Sequence, residues 1–361
     1  MKPNLPIKSC LVAAGLLAAT GFVHGQATVI TWTAAAGDLF AAANWDRNAI
    51  PGDADIILID NAGVATIAAG TGTAALAGIR LGEAQNAPTS GHVIMNGGTL
   101  SLSGTAGDPK AVIGNSANLS TFIMNGGTIL FDGPDLNPGN TNGKGVNELD
   151  WEVGEKGKGR FEMHGDAVFR ASDDIKVAEN AAGDGSVLID GNAKVSVGSG
   201  ISIGSGGTIE QSMVIAGHAL VESGNSMGAG SALGQTDEGY LTMAVGDGHS
   251  RLTIQDNGVL NIRRLTAREG VSFITVKDHG QFHIFDVFNG KGALGAAASA
   301  DRPAETGPNS AYGSKASSDA TLILQDDAVM ILPLFRPIYT IVGKNVQGYE
   351  GHPTQYHQFA K

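Results

Sequence analysis

Two pairs of adjacent acids are the residues of this sequence best suited to chemistry. Asp173-Asp174 stands near the start of a predicted strand, and Asp326-Asp327 lies in a predicted turn. A polysaccharide lyase needs clustered acids to hold calcium and a lysine or arginine base, whereas a glycosidase needs two nearby carboxylates. Neither pair recurs at the spacing of a calcium cage, so we interpret both as solvated turn acids. Neighbouring coils could still bring two carboxylates together, and the sequence leaves that open.

Histidine and arginine give weaker signals for a site. His164, His218 and His279 fall in polar turns but not at one identical offset, so we predict no histidine metal ladder. Arg263-Arg264 is an isolated basic pair in an acidic chain, and we interpret it as solvated. The chain has no HExxH, GxSxG or phosphate-loop motif, and its GxGxxG-like matches have no helix behind them. The sequence therefore predicts no catalytic residue, no metal site and no cofactor.

An internal repeat predicts the architecture that carries these residues. HVIMNGGTLSLSG at 92–104 recurs as TFIMNGGTILFDG at 121–133, and six less faithful copies follow, ending with TLILQDDAVMILP at 321–333. Each copy alternates apolar and polar residues on both sides of a polar turn, which is typical of strands with one buried face. A third short strand precedes most copies, as in GIRLG at 78–82 and WEVG at 151–154. We therefore predict an all-β fold, a right-handed single-stranded parallel β-helix with three short strands per coil.

The spacing of the repeat separates this fold from its alternatives. One anchor residue in the middle strand of each copy should stack on the next, and the shortest spacings, 22 to 26 residues, suit one triangular coil. A β-propeller blade needs roughly 40 residues and four antiparallel strands. Longer spacings predict a coil with an inserted loop, and eight or nine coils would give a rod of roughly 40 Å. The anchors are Met95, Met124, Met163, Ile189, Ile215, Ile254, Val276 and Leu324.

The first residues have the layout of an export signal. Lys2 and Lys8 precede an apolar run at 11–23 that is short for a membrane span, and small and polar residues follow it. This pattern predicts a secretory signal peptide over residues 1–25. The single cysteine, Cys10, lies inside that segment, so we expect no disulfide and no thiolate chemistry in the mature chain.

The rest of the chain divides around the repeat. Gly/Ala/Ser-rich insertions all follow the strand after the polar turn, so we expect them to leave the rod from one corner, where solenoids usually bind. Tolerated insertions without function are the equal alternative. The predicted segments are an N-terminal cap and first coil at 26–77, repeats at 78–335, inserted loops at 133–150, 224–239 and 286–319, and a C-terminal tail at 336–361.

Two tryptophans stand in the predicted cap. We expect Trp32 and Trp45 to cover the first coil, and a sugar-stacking pair is the alternative. The surrounding pattern, W-x-x-x-x-G-D, then N-W and P-G-D-A-D, resembles the start of autotransporter-passenger-like repeat proteins of environmental bacteria. The GGTL and GGTI turns at 97–100 and 126–129 are similar to those of the same proteins. The resemblance covers roughly residues 30–335 and implies an exported β-helix, but it carries little about activity.

The net charge and the composition limit the kinds of partner that this protein can have. The formal net charge is −12, which repels nucleic acid and anionic membrane surfaces. No second apolar stretch is long enough for a membrane helix, so we expect no membrane span in the mature chain.

Two functions remain open at this point. The first hypothesis is a secreted or cell-surface structural or adhesive protein that meets extracellular polysaccharide or cell-surface components. The alternative is a polysaccharide-binding or lyase-like polysaccharide-degrading β-helix. An enzyme should carry an acid and base cluster across adjacent rungs, whereas a structural rod should carry small polar residues there.

Overall fold

In the computed structural model, the described part of the chain consists of short β-strands joined by turns and loops. Among the described residues, the one helical segment is a short 3-10 turn at Ala42–Asn44. The predicted signal peptide and C-terminal tail lie outside the described residues. The described residues are 27–83, 89–103, 111–131, 150–205, 209–224, 239–262, 264–267, 270–284 and 319–331.

The strands form three parallel sheets, and we number the strands in chain order. Sheet 1 contains β1 (Thr28–Thr31), β3 (Asp55–Ile59), β6 (Gly78–Leu81), β9 (Ala111–Ile113), β12 (Trp151–Val153), β15 (Ile175–Val177), β18 (Gly200–Ser205), β21 (Tyr240–Val245) and β24 (Arg264–Ala267). Sheet 2 contains β2 (Ala36–Asp38), β4 (Val64–Ile67), β7 (His92–Met95), β10 (Leu119–Met124), β13 (Lys158–Met163), β16 (Asp184–Ile189), β19 (Glu210–Ile215), β22 (His249–Ile254), β25 (Val271–Val276) and β27 (Asp319–Leu324). Sheet 3 contains β5 (Thr73–Leu76), β8 (Thr99–Leu102), β11 (Thr128–Phe131), β14 (Val168–Ala171), β17 (Lys194–Val197), β20 (Leu220–Ser223), β23 (Val259–Ile262), β26 (Gln281–Ile284) and β28 (Val329–Ile331).

The chain visits the three sheets in turn, which confirms the predicted parallel β-helix. β6, β7 and β8 form one coil, and β9, β10 and β11 form the next one in register above it. Sheet 2 has ten strands, one or two more than the eight or nine coils that we predicted, because residues 26–77 contribute both β2 and β4 to it. Ten strands span about 43 Å at about 4.8 Å per step.

The anchor residues stack as predicted. Met124 pairs with Met95 on one side and Met163 on the other, and the register continues through Ile189 to Leu324. Alternate residues of each strand point into one continuous apolar core, because consecutive side chains of a strand face opposite sides of its sheet. The centre of this core is aromatic, and edge-to-face contacts join Trp151 to Phe122, Phe131 and Phe169.

The corner between sheets 1 and 2 explains why a glycine or alanine recurs at the end of the sheet-1 strands from β6 to β21. This corner requires a positive φ, which is +71° at Gly154 and +55° at Ala178 in the next coil. A Cβ at Gly154 would lie 2.5 Å from the carbonyl oxygen of Asp184, so this position requires glycine for space as well as for conformation. The alanine of the next coil adopts the same conformation at a steric cost.

The N-terminal tryptophans lie inside the protein. Trp32 and Trp45 are each 1% exposed, and their rings meet edge to face with centroids 5.0 Å apart. The Trp45 Nε1 donates a hydrogen bond to the Leu39 carbonyl oxygen at 2.8 Å. The pair therefore packs on the first coil as predicted, and the sugar-stacking alternative is wrong because neither ring face reaches solvent.

Candidate functional site

Charged residues meet on the outer face of sheet 1, where β12 and β15 lie side by side. Trp151 pairs with Ile175, and both point into the core, so their neighbours Asp150 and Glu152 fall on the outer face. Glu152 stands directly opposite Lys176 on β15. We call this group the sheet-1 charged cluster, which consists of Asp150, Glu152, Glu155, Asp173, Asp174, Lys176, Glu179 and Tyr240.

Lys176 joins two carboxylates of the cluster. Its Nζ lies 2.6 Å from Oδ2 of Asp150 and 3.1 Å from Oε1 of Glu179. Burial disfavours the charge on Lys176, but the neighbouring Asp150 and Glu179 carboxylates outweigh burial and raise the pKa of the ammonium above its usual range. Lys176 is therefore a fixed cation, which makes it unsuited to act as a base in this state.

Asp174 is held by a tyrosine from two coils further along the chain. The Tyr240 hydroxyl donates a hydrogen bond to Oδ2 of Asp174 at 2.7 Å. Gly200 occupies the intervening rung, and a Cβ there would collide with the Tyr240 ring. Burial raises the pKa of the Asp174 carboxyl, and the Tyr240 hydrogen bond and the Lys176 charge oppose this rise. Burial and the Asp174 carboxyl also raise the pKa of Tyr240.

The acids of the cluster form two groups on the described part of the chain. One carboxylate oxygen from each of Asp150, Asp173 and Asp174 lies within 4.8 Å of the other two. The second group is formed by Glu152, Glu155 and Glu179, whose carboxylate oxygens also lie within 4.8 Å of one another. Lys176 contacts one member of each group, so the cluster is continuous across β12 and β15.

The prediction for Asp173-Asp174 is wrong in one respect. Asp174 is only 9% exposed and Asp173 is half-buried, so these are not solvated turn acids. Stacking buries Asp174, because Asp150 lies on the preceding rung and Tyr240 reaches it across Gly200. Asp326 and Asp327 are both exposed, which confirms the prediction for that pair.

The three histidines of the polar turns do not come together. His164 lies between two acids, with Nδ1 2.8 Å from Asp190 and Nε2 3.1 Å from Glu162. His218 and His279 are exposed in other coils. Of the basic pair, Arg263 lies outside the described residues, and Arg264 begins β24.

The insertions leave the rod from one corner. The chain passes out of the described residues directly after β11, just after β20 and directly after β26, and all three strands belong to sheet 3. It returns at β12 and β21 in sheet 1 after the first two insertions, and at β27 in sheet 2 after the third. The interiors of the predicted loops at 133–150, 224–239 and 286–319 lie outside the described residues.

Reasoning from the sequence missed Asp150, Glu152, Lys176 and Tyr240. A signal was available, because aligning WEVG at 151–154 with IKVA at 175–178 places Glu152 opposite Lys176 and Asp150 opposite Asp174. Asp150 was instead assigned to the end of an inserted loop. The contact of Tyr240 with Asp174 depends on the missing side chain at Gly200, which no pairwise alignment of strands reveals.

Comparison with known proteins adds no relative from which a function could be inferred. No family model, no curated protein and no solved structure matches this chain. Within the described residues, no helix has the length and apolar character needed to cross a membrane.

Proposed function

We propose that the protein is an exported structural or adhesive surface protein that presents loops from one side of a β-helix rod. The observation that carries this proposal is the common exit of the three long insertions after a strand of sheet 3. Loops along one side of a solenoid form a continuous surface, and such surfaces are where solenoids usually bind. The lysines and apolar run of residues 1–23 support export.

The acidic character of the chain favours particular partners. A net charge of −12 disfavours contact with nucleic acid and anionic membranes, and it favours neutral glycans or acidic glycans reached through bound cations. We therefore expect extracellular polysaccharide or cell-surface components as partners, and the same export signal supports a secreted or cell-surface location.

A specific observation favours a second function, a polysaccharide-binding or polysaccharide-degrading β-helix. The sheet-1 charged cluster brings acids and a lysine together on adjacent rungs, which is the feature expected of this alternative. Burial counts against catalysis on a polymer, because Asp150 and Glu152 are at most 1% exposed. A general acid or base must reach the proton that it transfers, so we rank this function second.

A polysaccharide screen distinguishes the two functions. The purified protein is incubated with acidic and neutral polysaccharides, with and without calcium, and both retention and new reducing or unsaturated ends are recorded. The first function predicts retention without new ends. New ends would refute the proposal of a structural or adhesive protein and support the polysaccharide-degrading alternative. If the protein is retained on none of the polysaccharides, neither function has a glycan partner.

A further inference from the structure

Three carboxylates of the sheet-1 charged cluster are close enough to bind one ion. Asp150, Asp173 and Asp174 each offer an oxygen within 4.8 Å of the other two. Calcium binds carboxylate oxygens at about 2.4 Å, so two oxygens on one calcium ion lie at most about 4.8 Å apart. The three oxygens therefore meet the distance condition for binding one calcium ion.

Asp174 supplies a second and independent indication of a ligand. Its side chain is nine-tenths buried, and Tyr240 occupies Oδ2 as a hydrogen-bond donor. The other oxygen, Oδ1, is fully buried and has no partner at normal hydrogen-bond geometry in the described part of the chain, although the Ser199 side chain and the Gly200 backbone lie near enough to the carboxyl to lower its pKa. A buried carboxylate oxygen without a donor is costly, and such oxygens in native proteins generally have a proton donor, a water molecule or a cation beside them.

The surroundings of these acids suit a divalent cation. With the three carboxylates ionised, the Lys176 ammonium leaves an excess of negative charge. Tyr240 and Lys176 each hold one oxygen of a carboxylate, and this is how residues behind a metal site orient its ligands. Asp173 is only half-buried, so it offers a route for an ion to enter from solvent.

From these observations we infer that Asp150, Asp173 and Asp174 form a calcium site on the outer face of sheet 1. Calcium takes six to eight oxygen ligands in flexible geometry, so water and backbone oxygens would complete the shell around the three carboxylates. The site would join the rungs of β12 and β15. It does not depend on the proposed function, because a structural rod and an enzyme could each use it.

The test measures calcium binding to the purified protein after removal of metals by a chelator. Titration calorimetry with calcium chloride gives affinity and stoichiometry, and thermal melting with and without calcium gives the effect on stability. The variants are Asp174→Asn, which preserves the shape of the side chain, and Asp173→Asn at the half-buried position. The matched control is Asp326→Asn, which makes the same charge change at an exposed position in a distant coil.

We expect the wild-type protein and Asp326→Asn to bind one calcium ion with a dissociation constant of about 10⁻⁴ to 10⁻³ M, the range of extracellular modules. Both should melt at a higher temperature with calcium. Asp173→Asn and Asp174→Asn should bind about tenfold more weakly or worse. If Asp174→Asn does not fold, Asp173→Asn alone decides. The inference is overturned if wild type shows no saturable binding, or if Asp173→Asn binds as tightly as Asp326→Asn.

Discussion

Lys176 and Asp150 form the most buried ion pair described in the sheet-1 charged cluster. Asp150 is 1% exposed and the Lys176 side chain 14% exposed, and 2.6 Å separates Nζ from Oδ2. A buried ion pair contributes little net stability compared with apolar residues, but removing one partner leaves the other charge buried. The pair therefore makes the fold sensitive to single substitutions at this place.

Replacing Lys176 with methionine should destabilise the protein strongly. We expect Lys176→Met to lower the free energy of unfolding by about 3 kcal/mol, because the Asp150 carboxylate loses its ammonium partner in a buried position. Urea denaturation followed by circular dichroism measures the change. Lys194→Met, at an exposed position on β17, is the matched control and should change stability by no more than about 0.5 kcal/mol. Equal losses in the two variants would refute this account of the ion pair.

His164 should make stability depend on pH. Burial lowers the pKa of His164, but hydrogen bonds and charge from Asp190 and Glu162 outweigh burial and raise it above its usual value. The protonated form is thus favoured in the folded state, and its contribution is complete below the unfolded pKa of about 6.5. That contribution is lost as the pH rises through the higher folded pKa.

The corresponding experiment compares His164→Gln with wild type at two pH values. The variant should lose more stability at about pH 5.5 than at about pH 9, as measured by the midpoint of urea denaturation. His218→Gln, which alters an exposed histidine in another coil, is the matched control. A loss for His164→Gln that is the same at both pH values would show that its ion pairs do not stabilise the fold.

At the scale of single residues, the sequence could predict which side chains face the core. It could not predict which of the outward-facing acids are buried. Alternation places Asp174 on the outer face, and outward acids are usually solvated. Its burial depends on Tyr240, which is 66 residues further along the chain. This contact forms because two coils separate the residues and because Gly200, between them, has no side chain. Predicting it from the sequence would require the register of all the intervening strands.

Strands and corners were more predictable than charges. Alternation identified β7 to β28 largely where they lie, because half-buried strands have a period of two. It predicted a cap and only one coil for residues 26–77, where β1 to β5 contribute two strands to sheet 2, because the small alanines and threonines of these strands weaken the apolar signal. The glycine or alanine that recurs at the end of the sheet-1 strands from β6 to β21 was recognisable in the sequence, and the positive φ of the corner is its structural reason.

Exchanging glycine and alanine at equivalent corners tests this reason. Gly154→Ala should lower the free energy of unfolding by about 2 kcal/mol or more, because it adds a positive-φ penalty and a Cβ close to the Asp184 carbonyl oxygen. Ala178→Gly should change it by less than about 1 kcal/mol, towards higher stability, because glycine removes the penalty. Chemical denaturation of both variants is the measurement, and similar losses in the two would contradict the role given to this corner.

The whole molecule is a scaffold whose coils stack independently of the insertions. Ser223 pairs with Val197, and Tyr240 pairs with Gly200, so Gly224 and Gly239 occupy the places of Gly198 and Ser199 in the coil below. The sequence predicted this common exit corner from the phase of the insertions. It could not predict the ligand, because the repeat determines the backbone and leaves the chemistry of the loops unconstrained.

Deleting residues 225–238 should leave the rod folded. Joining Gly224 to Gly239 recreates the two-residue corner of the preceding coil, and a shorter loop costs less closure entropy. We expect an unchanged β-type circular dichroism spectrum and a melting temperature within about 4 °C of wild type. An unfolded or aggregated variant would show that the insertion is part of the structural core.

Retention of the wild-type protein and of this deletion variant on the same panel of acidic and neutral polysaccharides tests the central claim most directly. The claim is that a β-helix scaffold presents binding loops from one corner. It predicts that wild type is retained without forming new reducing or unsaturated ends, and that the folded variant is retained more weakly. Equal retention of the two proteins, no retention of wild type, or the appearance of new ends would contradict it.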